Sequence, residues 1–346
     1  MKKLRIIAAA LSAILLCGCA ADNVGAGTSS ESSAPVTAPP AVTSDAENVE
    51  SAENAESGDT SEAGYVPGER DENGVYVADG YAAKLEYPLN EKCISYAAKR
   101  FTYVYEEYLS GSCENVYVSV IPDKNYFLAE KNGFPALDYA ELTAQLTGQM
   151  DFAEYIDIFP LLELSDYYRT DTHWRQEKIT DVAAHIAGAM GVSLSAEYTE
   201  ETLDAPFYGV HCRQADIDID PDTLIYLTND ILSECRVYDG ETDAYTDIYN
   251  MELAAGDDPY EIFLSGAKSL LTVENPAAQS GKELIIFRDS FASSLAPLLA
   301  EGYSKITLVD IRYLAPQLLG RFVDFHGQDI LFLYSAPVLN NSATIK

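Results

Sequence analysis

The chain has four histidines, and one of them, His173, stands two residues after a carboxylate in Asp171-Thr172-His173-Trp174. An imidazole can take the proton of a hydroxyl nucleophile only when a second group fixes its tautomer and orientation. A carboxylate two residues away, on the same side of an extended chain, supplies such a group. Of the other histidines, His185 falls in an apolar helical pattern beside Ala183, Ala184 and Ile186, and neither His211 nor His326 has a carboxylate directly next to it. The matching nucleophile is Ser290 in Arg288-Asp289-Ser290-Phe291, which follows an apolar strand and opens a helical segment. A hydroxyl at such a turn is exposed and sits beside helix N-terminal N–H groups that can stabilise an oxyanion. Two other readings stay open: Asp289 or Ser290 as a plain helix cap, and Asp171 or Thr172 as the cap of the helix after His173. A metal site on Asp171 and His173 lacks a further ligand at a recognisable spacing, so no metal is expected.

The elements that must hold these residues read as α/β. Residues 97–109 carry Phe101, Val104, Tyr105 and Tyr108 at helical spacing, and Ser110, Gly111 and Ser112 break the pattern before the β-branched run 116–121, which Pro122 ends. A helix over 139–150 opened by Asp138, a strand near 155–159 and an amphipathic helix over 176–190 stopping at Gly191 follow. Beyond a strand at 224–227 and a turn at Asp239-Gly240, the C-terminal third alternates strand 283–287, helix 291–300, strand 305–309, helix 314–322 and strand 329–334. Unalternated apolar strands joined by helices demand a parallel sheet with helices on both faces, and sites in such sheets form at the carboxyl ends of the strands. Asp216, Asp218, Asp220 and Asp222 alternate around Ile217 and Ile219; without the glycine and terminal glutamate of a calcium loop they read as a polar strand face or an acidic loop. Cys93, Cys113, Cys212 and Cys235 match no zinc spacing and are open to pairing or to burial as free thiols.

Over 346 residues, 55 acidic against 22 basic side chains give a formal charge of -33, while 47% hydrophobic residues supply a sizeable core. Such a surface repels phosphate backbones, which excludes nucleic acid as a partner. Lys2, Lys3 and Arg5 before the apolar run 6–16 form a secretory signal too short to span a bilayer. Leu16-Cys17-Gly18-Cys19 resembles a bacterial lipobox, which places acyl chains on Cys19 and the protein on the extracellular face of a bacterial membrane. Residues 1–19 are thus a lipoprotein signal. Residues 20–74, rich in Ser, Ala, Glu, Thr and Pro, are a disordered acidic linker. The folded domain is expected over 75–346.

Asp171-Thr172-His173-Trp174 resembles the Asp-His-His-Trp motif of the DHHW family. Its pairing with Arg288-Asp289-Ser290-Phe291 resembles the alginate O-acetyltransferase-like branch of the SGNH hydrolases, in which the Asp-x-His segment likewise precedes the serine. The likeness extends to Leu333-Tyr334-Ser335 and Leu339-Asn340-Asn341-Ser342. It implies an SGNH-hydrolase-like parallel sheet sandwiched by helices, in permuted motif order, with Ser290 as nucleophile, His173 as general base and Asp171 as its orienting acid. It further implies acetyl transfer to or from a cell-envelope or exopolysaccharide glycan, a membrane-bound O-acyltransferase as acyl donor, and no cofactor. The sequence departs from the pattern at Thr172, where the family name expects His, and at Arg288, where the usual elbow has Gly. Arg288 reads either as a ligand for an anionic sugar or as a surface side chain. By the same analogy Asp289, Gly266 and Asn275 are candidates for substrate or oxyanion contacts, and Trp174 for packing under the histidine or for a sugar platform. The alternative function is a non-catalytic glycan-binding lipoprotein on a degenerate fold of this kind.

Overall fold

The computed structural model describes Arg70, residues 73–113 and residues 115–346; the lipobox with Cys19, the signal segment and nearly all of the linker lie outside the described residues. The central sheet is built from eight strands: β1 (Val116–Ile121), β2 (Glu154–Tyr155), β3 (Arg236–Asp239), β4 (Ala244–Thr246), β5 (Leu270–Glu274), β6 (Glu283–Arg288), β7 (Lys305–Val309) and β8 (Asp329–Ser335). Their spatial order is β2-β1-β8-β6-β7-β5-β3-β4. β2, β1, β8, β6 and β7 run parallel, and β5, β3 and β4 extend the β7 side as an antiparallel edge.

The two-sided burial predicted from the apolar strands has a simple origin in the period of the strand. Leu284 and Ile286 of β6 point to one face and join Leu331 and Leu333 of β8. Ile285 and Phe287 point to the other, with Ile330 and Phe332. Helix α1 (Glu91–Val104), capped by Asn90, and helix α2 (Tyr139–Thr147), capped by Asp138, cover the second face through Ile94, Phe101, Leu142 and Leu146. Helices α3 (Thr180–Ala189) and α4 (Ala292–Leu299) cover the first through Val182, Ile186, Leu295 and Leu298. Phe332 stacks on Phe287 at 4.8 Å between ring centres and meets Phe101 of α1 at 4.9 Å. Each such ring, fully buried, contributes about 1.5–3 kcal/mol.

β6 leads through α4 to β7 on one side, and the chain then crosses back to place β8 on the other side of β6. The carboxyl end of β6 is therefore the point where the connections diverge and leave a crevice. Three differences from the sequence reading matter. Residues 314–322 form a 3₁₀ helix over Pro316–Arg321 and not an α-helix. The segment before β6 contains β5, missed because Leu270–Glu274 has mixed polarity at a half-exposed position. The strand at 224–227 is Ile225–Thr228 and pairs with Thr199–Thr202 in a separate ribbon. Cys93, Cys113, Cys212 and Cys235 are all free thiols. Among the described residues no helix is long and apolar enough to cross a membrane.

Candidate active site

Tyr167 and Trp174 pair across a tight loop, closed also by Tyr168 N–H to His173 O at 3.1 Å, so that Asp171 lies within the loop and His173 at its closing end. The loop is fixed from below by Asp222. One oxygen of this carboxylate accepts the N–H of Arg169 at 2.9 Å, and the other accepts the N–H and the hydroxyl of Thr170 at 2.7 and 2.6 Å. Thr170 in turn accepts the N–H of Gly209 at 2.9 Å. The next residue, Val210, donates its N–H to Asp171 Oδ2 at 2.7 Å. The acidic run over 216–222 thus ends in a residue that holds the Asp171 loop, which its alternating pattern did not reveal.

Asp171 Oδ1 accepts the backbone N–H of His173 at 3.0 Å and lies 2.6 Å from His173 Nδ1. His173 Nε2 lies 2.7 Å from Ser290 Oγ. A carboxylate only accepts, so it holds the proton on Nδ1 and leaves Nε2 as the acceptor for the Ser290 hydroxyl. Burial alone would raise the Asp171 carboxyl. The imidazole of His173 and the N–H groups of Val210 and His173 outweigh burial and hold it well below the usual carboxylate range. The acid is therefore ionised at neutral pH, as an orienting group must be.

The ring of His173 is held by two aromatic rings. Tyr260 stacks on it with centres 3.9 Å apart and planes 4° apart, and Phe291 meets it at 4.9 Å. The Tyr260 hydroxyl lies 2.9 Å from Ser294 Oγ, and Trp174 Nε1 donates to Phe291 O and to Ser294 Oγ, both at 3.0 Å. Trp174 has no exposed surface; it is a packing residue that ties the His173 loop to the helix after Ser290, and the sugar-platform alternative does not hold. Nothing in the sequence around Pro259-Tyr260 signalled the stacking ring, because the contact spans 87 positions of chain.

Arg288 is also wholly buried, which removes both readings offered for it, a sugar ligand and a surface side chain. Its guanidinium donates to Ser293 Oγ at 2.9 Å, to the carbonyls of Asp289 and Lys268 at 3.3 Å, and to that of Gly266 at 3.5 Å. The strap it holds contains three consecutive residues with left-handed backbone, Leu264, Ser265 and Gly266. Burial depresses the Arg288 pKa, opposed by Asp310 and Asp289. Asp289 accepts the N–H of Phe291 at 3.0 Å and that of Ser335 at 2.7 Å, locking the turn at Ser290 to the end of β8. Asp289 is therefore a brace of this turn; α4 itself starts after Phe291 without a side-chain cap.

Gly266 and Asn275 do not reach an oxyanion position. The Gly266 N–H is bonded to Phe263 O, and its carbonyl faces Arg288. Asn275 follows β5, whose last residue, Glu274, pairs with Lys305 at the start of β7, the opposite end of the sheet from Ser290. Its amide is spent on Ala300 O and the N–H of Ala277. Antiparallel β5 was the unforeseen element that reversed this end. His326 shares the Asp-x-His spacing through Asp324, at 3.4 Å, but it is half exposed and adjoins the start of β8, also at the far end.

No protein-family model matches the sequence, and no curated protein matches it. Solved structures do match the fold. A DHHW family protein from Eubacterium siraeum superposes with a TM-score of 0.65 at 22% identity, over 80% of this chain and 96% of that one. Bacillus cereus PatB1 carrying a sulfonyl adduct superposes with a TM-score of 0.59 at 18% identity, over 77% of this chain and 95% of that one. PatB1 is matched a second time, from a structure described without the adduct, at 0.58 and 18%, over 77% and 96%. The chain therefore has the α/β fold seen in the DHHW family protein and in PatB1, a mostly parallel sheet between two layers of helices.

Proposed function

We propose that this protein is a membrane-anchored extracellular lipoprotein that transfers acyl groups through Ser290, acting as an O-acetyltransferase or acetylesterase on a cell-envelope or exopolysaccharide glycan. The observation that carries the reading is the unbroken relay from Asp171 Oδ1 to His173 Nδ1 at 2.6 Å and from His173 Nε2 to Ser290 Oγ at 2.7 Å, at the carboxyl end of β6. Lipidation at Cys19, the glycan substrate and a membrane-bound O-acyltransferase as acyl donor rest on the sequence resemblances.

In the first half-reaction Ser290 Oγ attacks the ester carbonyl while its proton passes to His173 Nε2. Asp171 keeps the Nδ1–H and balances the imidazolium charge. The N–H groups of Phe291, Ala292 and Ser293 already have acceptors, on Asp289 Oδ1, Asp289 O and Ser290 O. That of Ser290 has none among the described residues and is the oxyanion donor in this scheme. The intermediate collapses, the leaving alcohol takes the proton from Nε2, and acyl-Ser290 remains. A sugar hydroxyl or water then gives its proton to Nε2 and attacks the acyl carbon; the bond from that carbon to Ser290 Oγ breaks and Oγ takes the proton back from Nε2. The competing reading of a non-catalytic glycan binder leaned on Arg288 at the elbow; with Arg288 buried as a brace, that support is gone.

The test is hydrolysis of p-nitrophenyl acetate by the wild type beside Ser290→Ala and His173→Ala, with a sulfonyl fluoride as a covalent probe. The expected result is loss of at least 10³-fold of activity in each variant and sulfonylation confined to Ser290. Wild-type turnover equal to that of both variants, together with no labelling, would discard the enzymatic reading.

A further inference from the structure

A cavity of about 240 Å³ opens beside the Asp171-His173 loop, with Lys84, Glu86, Lys124, Thr172, His211 and Gln214 among its walls. Three of its walls come from the functional frame. Thr172 lies between Asp171 and His173, and Val210 is the residue whose N–H holds Asp171. Asp123 and Lys124 follow the carboxyl end of β1, and Pro337 follows that of β8. In the sheet, β8 is next to β6 and β1 is next to β8. At about 4.8 Å per strand, the cavity is therefore roughly 5–10 Å to the side of the strand that presents Ser290.

The cavity is built for a ligand that both gives and takes hydrogen bonds. His211 is 4% exposed, and its Nδ1 is enclosed without a hydrogen-bond partner. Lys124 is 2% exposed and spends its ammonium on the carbonyls of Tyr168 at 2.9 Å and Arg169 at 3.3 Å. Among the described residues no carboxylate lies within ion-pair distance of it. Burial, partly offset by Asp171, Asp222 and Asp123, brings Lys124 down to about 8, and burial together with Lys124 brings His211 down to about 3, so the imidazole is neutral. A buried polar atom left unpaired is costly, and an ordered polar occupant removes that cost.

Charge and size narrow the occupant. Lys84 and Lys124 share the walls with Glu86 and Asp123, whose carboxyls burial pushes up, Glu86 to about 7, so the lining offers both donors and acceptors, as an uncharged polyhydroxyl ligand requires. Ala83, Val210 and Pro337 add apolar surface for the C–H face of a ring. At about 30 Å³ per water the space equals about eight waters, below the roughly 300–1,000 Å³ of drug-sized sites. Through Lys84 and Glu86 it adjoins a larger open groove of about 720 Å³ lined by residues 84–92 with Asn340 and Asn341, where a polymer could continue.

We infer that this cavity is an acceptor subsite that seats one uncharged sugar residue of a glycan beside acyl-Ser290, with Lys124, His211, Thr172 and Gln214 reading its hydroxyls. The inference rests on the acyl-transfer reading for its purpose, but its test does not. Calorimetric titration of the full-length Ser290→Ala chain with neutral trisaccharides of glucose, mannose, galactose and N-acetylglucosamine, a uronate trisaccharide and inorganic phosphate would measure binding without turnover. At least one neutral trisaccharide should bind, and affinity should fall tenfold or more in His211→Phe and in Gln214→Trp. Gln214 is exposed at the cavity mouth, so its variant is expected to fold whatever happens to the buried one. Absence of binding by all four neutral sugars, equal binding in Gln214→Trp, or binding of only uronate or phosphate would overturn the inference. Ester hydrolysis by the wild type without sugar binding would defeat the subsite alone; sugar binding without hydrolysis would defeat the acyl-transfer reading alone.

Discussion

Gly209 gives the sharpest test of how the Asp171 loop is held. Its backbone, φ −76° and ψ −172°, is extended and open to any residue. Space is what demands glycine. A Cβ there would stand 2.2 Å from Asp171 Cβ, 2.5 Å from Asp171 Cα and 2.6 Å from Asp171 Oδ2. In Gly209→Ala the two segments must part, and the first bond to stretch is Val210 N–H to Asp171 Oδ2, now 2.7 Å. A hydrogen bond to a charged group contributes about 1.5–3 kcal/mol, and 1.36 kcal/mol is tenfold in rate. The expected loss in kcat/KM for p-nitrophenyl acetate is therefore roughly 10- to 150-fold, carried by kcat. Overpacking also costs about 1–3 kcal/mol of stability, which at about 2–4 °C per kcal/mol lowers Tm by roughly 2–12 °C. Gly188→Ala is the control: it sits in α3 with nothing within 4 Å of its would-be Cβ, and it should gain about 0.5–1 kcal/mol. Wild-type kcat/KM in Gly209→Ala, or a Tm equal to that of the wild type, would refute the claim that this contact positions Asp171.

Tyr260→Ala removes the ring stacked on His173 and should lower kcat/KM about tenfold, as expected for an aromatic contact near 1.5 kcal/mol, while Tyr260→Phe keeps the stack and should stay within about threefold; esterase kinetics on both variants decide. Phe332→Ala empties the junction between the sheet and α1 and should cost about 3–5 kcal/mol in urea unfolding, with little change in the kcat of the molecules that remain folded. His211 is held at about 3 against an ordinary value of 6.5 by burial and by Lys124, while Asp171 pulls the other way. Between pH 6.5 and 3 the unfolded chain binds a proton that the folded chain refuses, so this histidine makes folding stability fall on acidification, by on the order of 4 kcal/mol over the window. In His211→Gln that fall should be visibly shallower in urea unfolding measured from pH 7 to 4, and an unchanged slope would contradict the buried, neutral assignment.

Chain order and residue chemistry alone determined a good deal. The spacing of Asp171 and His173, the strand before Ser290 and the run of unalternated apolar strands were local patterns. Local patterns survive in a sequence because strand and helix periods depend only on neighbours. β1 and β7 fell where their β-branched runs placed them, at 116–121 and 305–309. Contacts across long stretches of chain could not be read in this way. Tyr260 on His173, Gly209 against Asp171 and Asp222 beneath Thr170 join segments dozens of residues apart, Arg288 reaches back to Gly266 and Lys268, and which segments meet is settled by sheet order and register. Strand direction was the decisive unknown at the far edge. Antiparallel β5 carries Asn275 to the wrong end of the sheet, whereas the parallel strands β6, β8 and β1 bring Ser290, the Asp289 brace and the sugar-sized cavity to the same end. The sequence named the groups able to do the chemistry; the tertiary structure decided which of them are within 3 Å of one another, because hydrogen bonds are made by distance and angle and not by spacing along the chain.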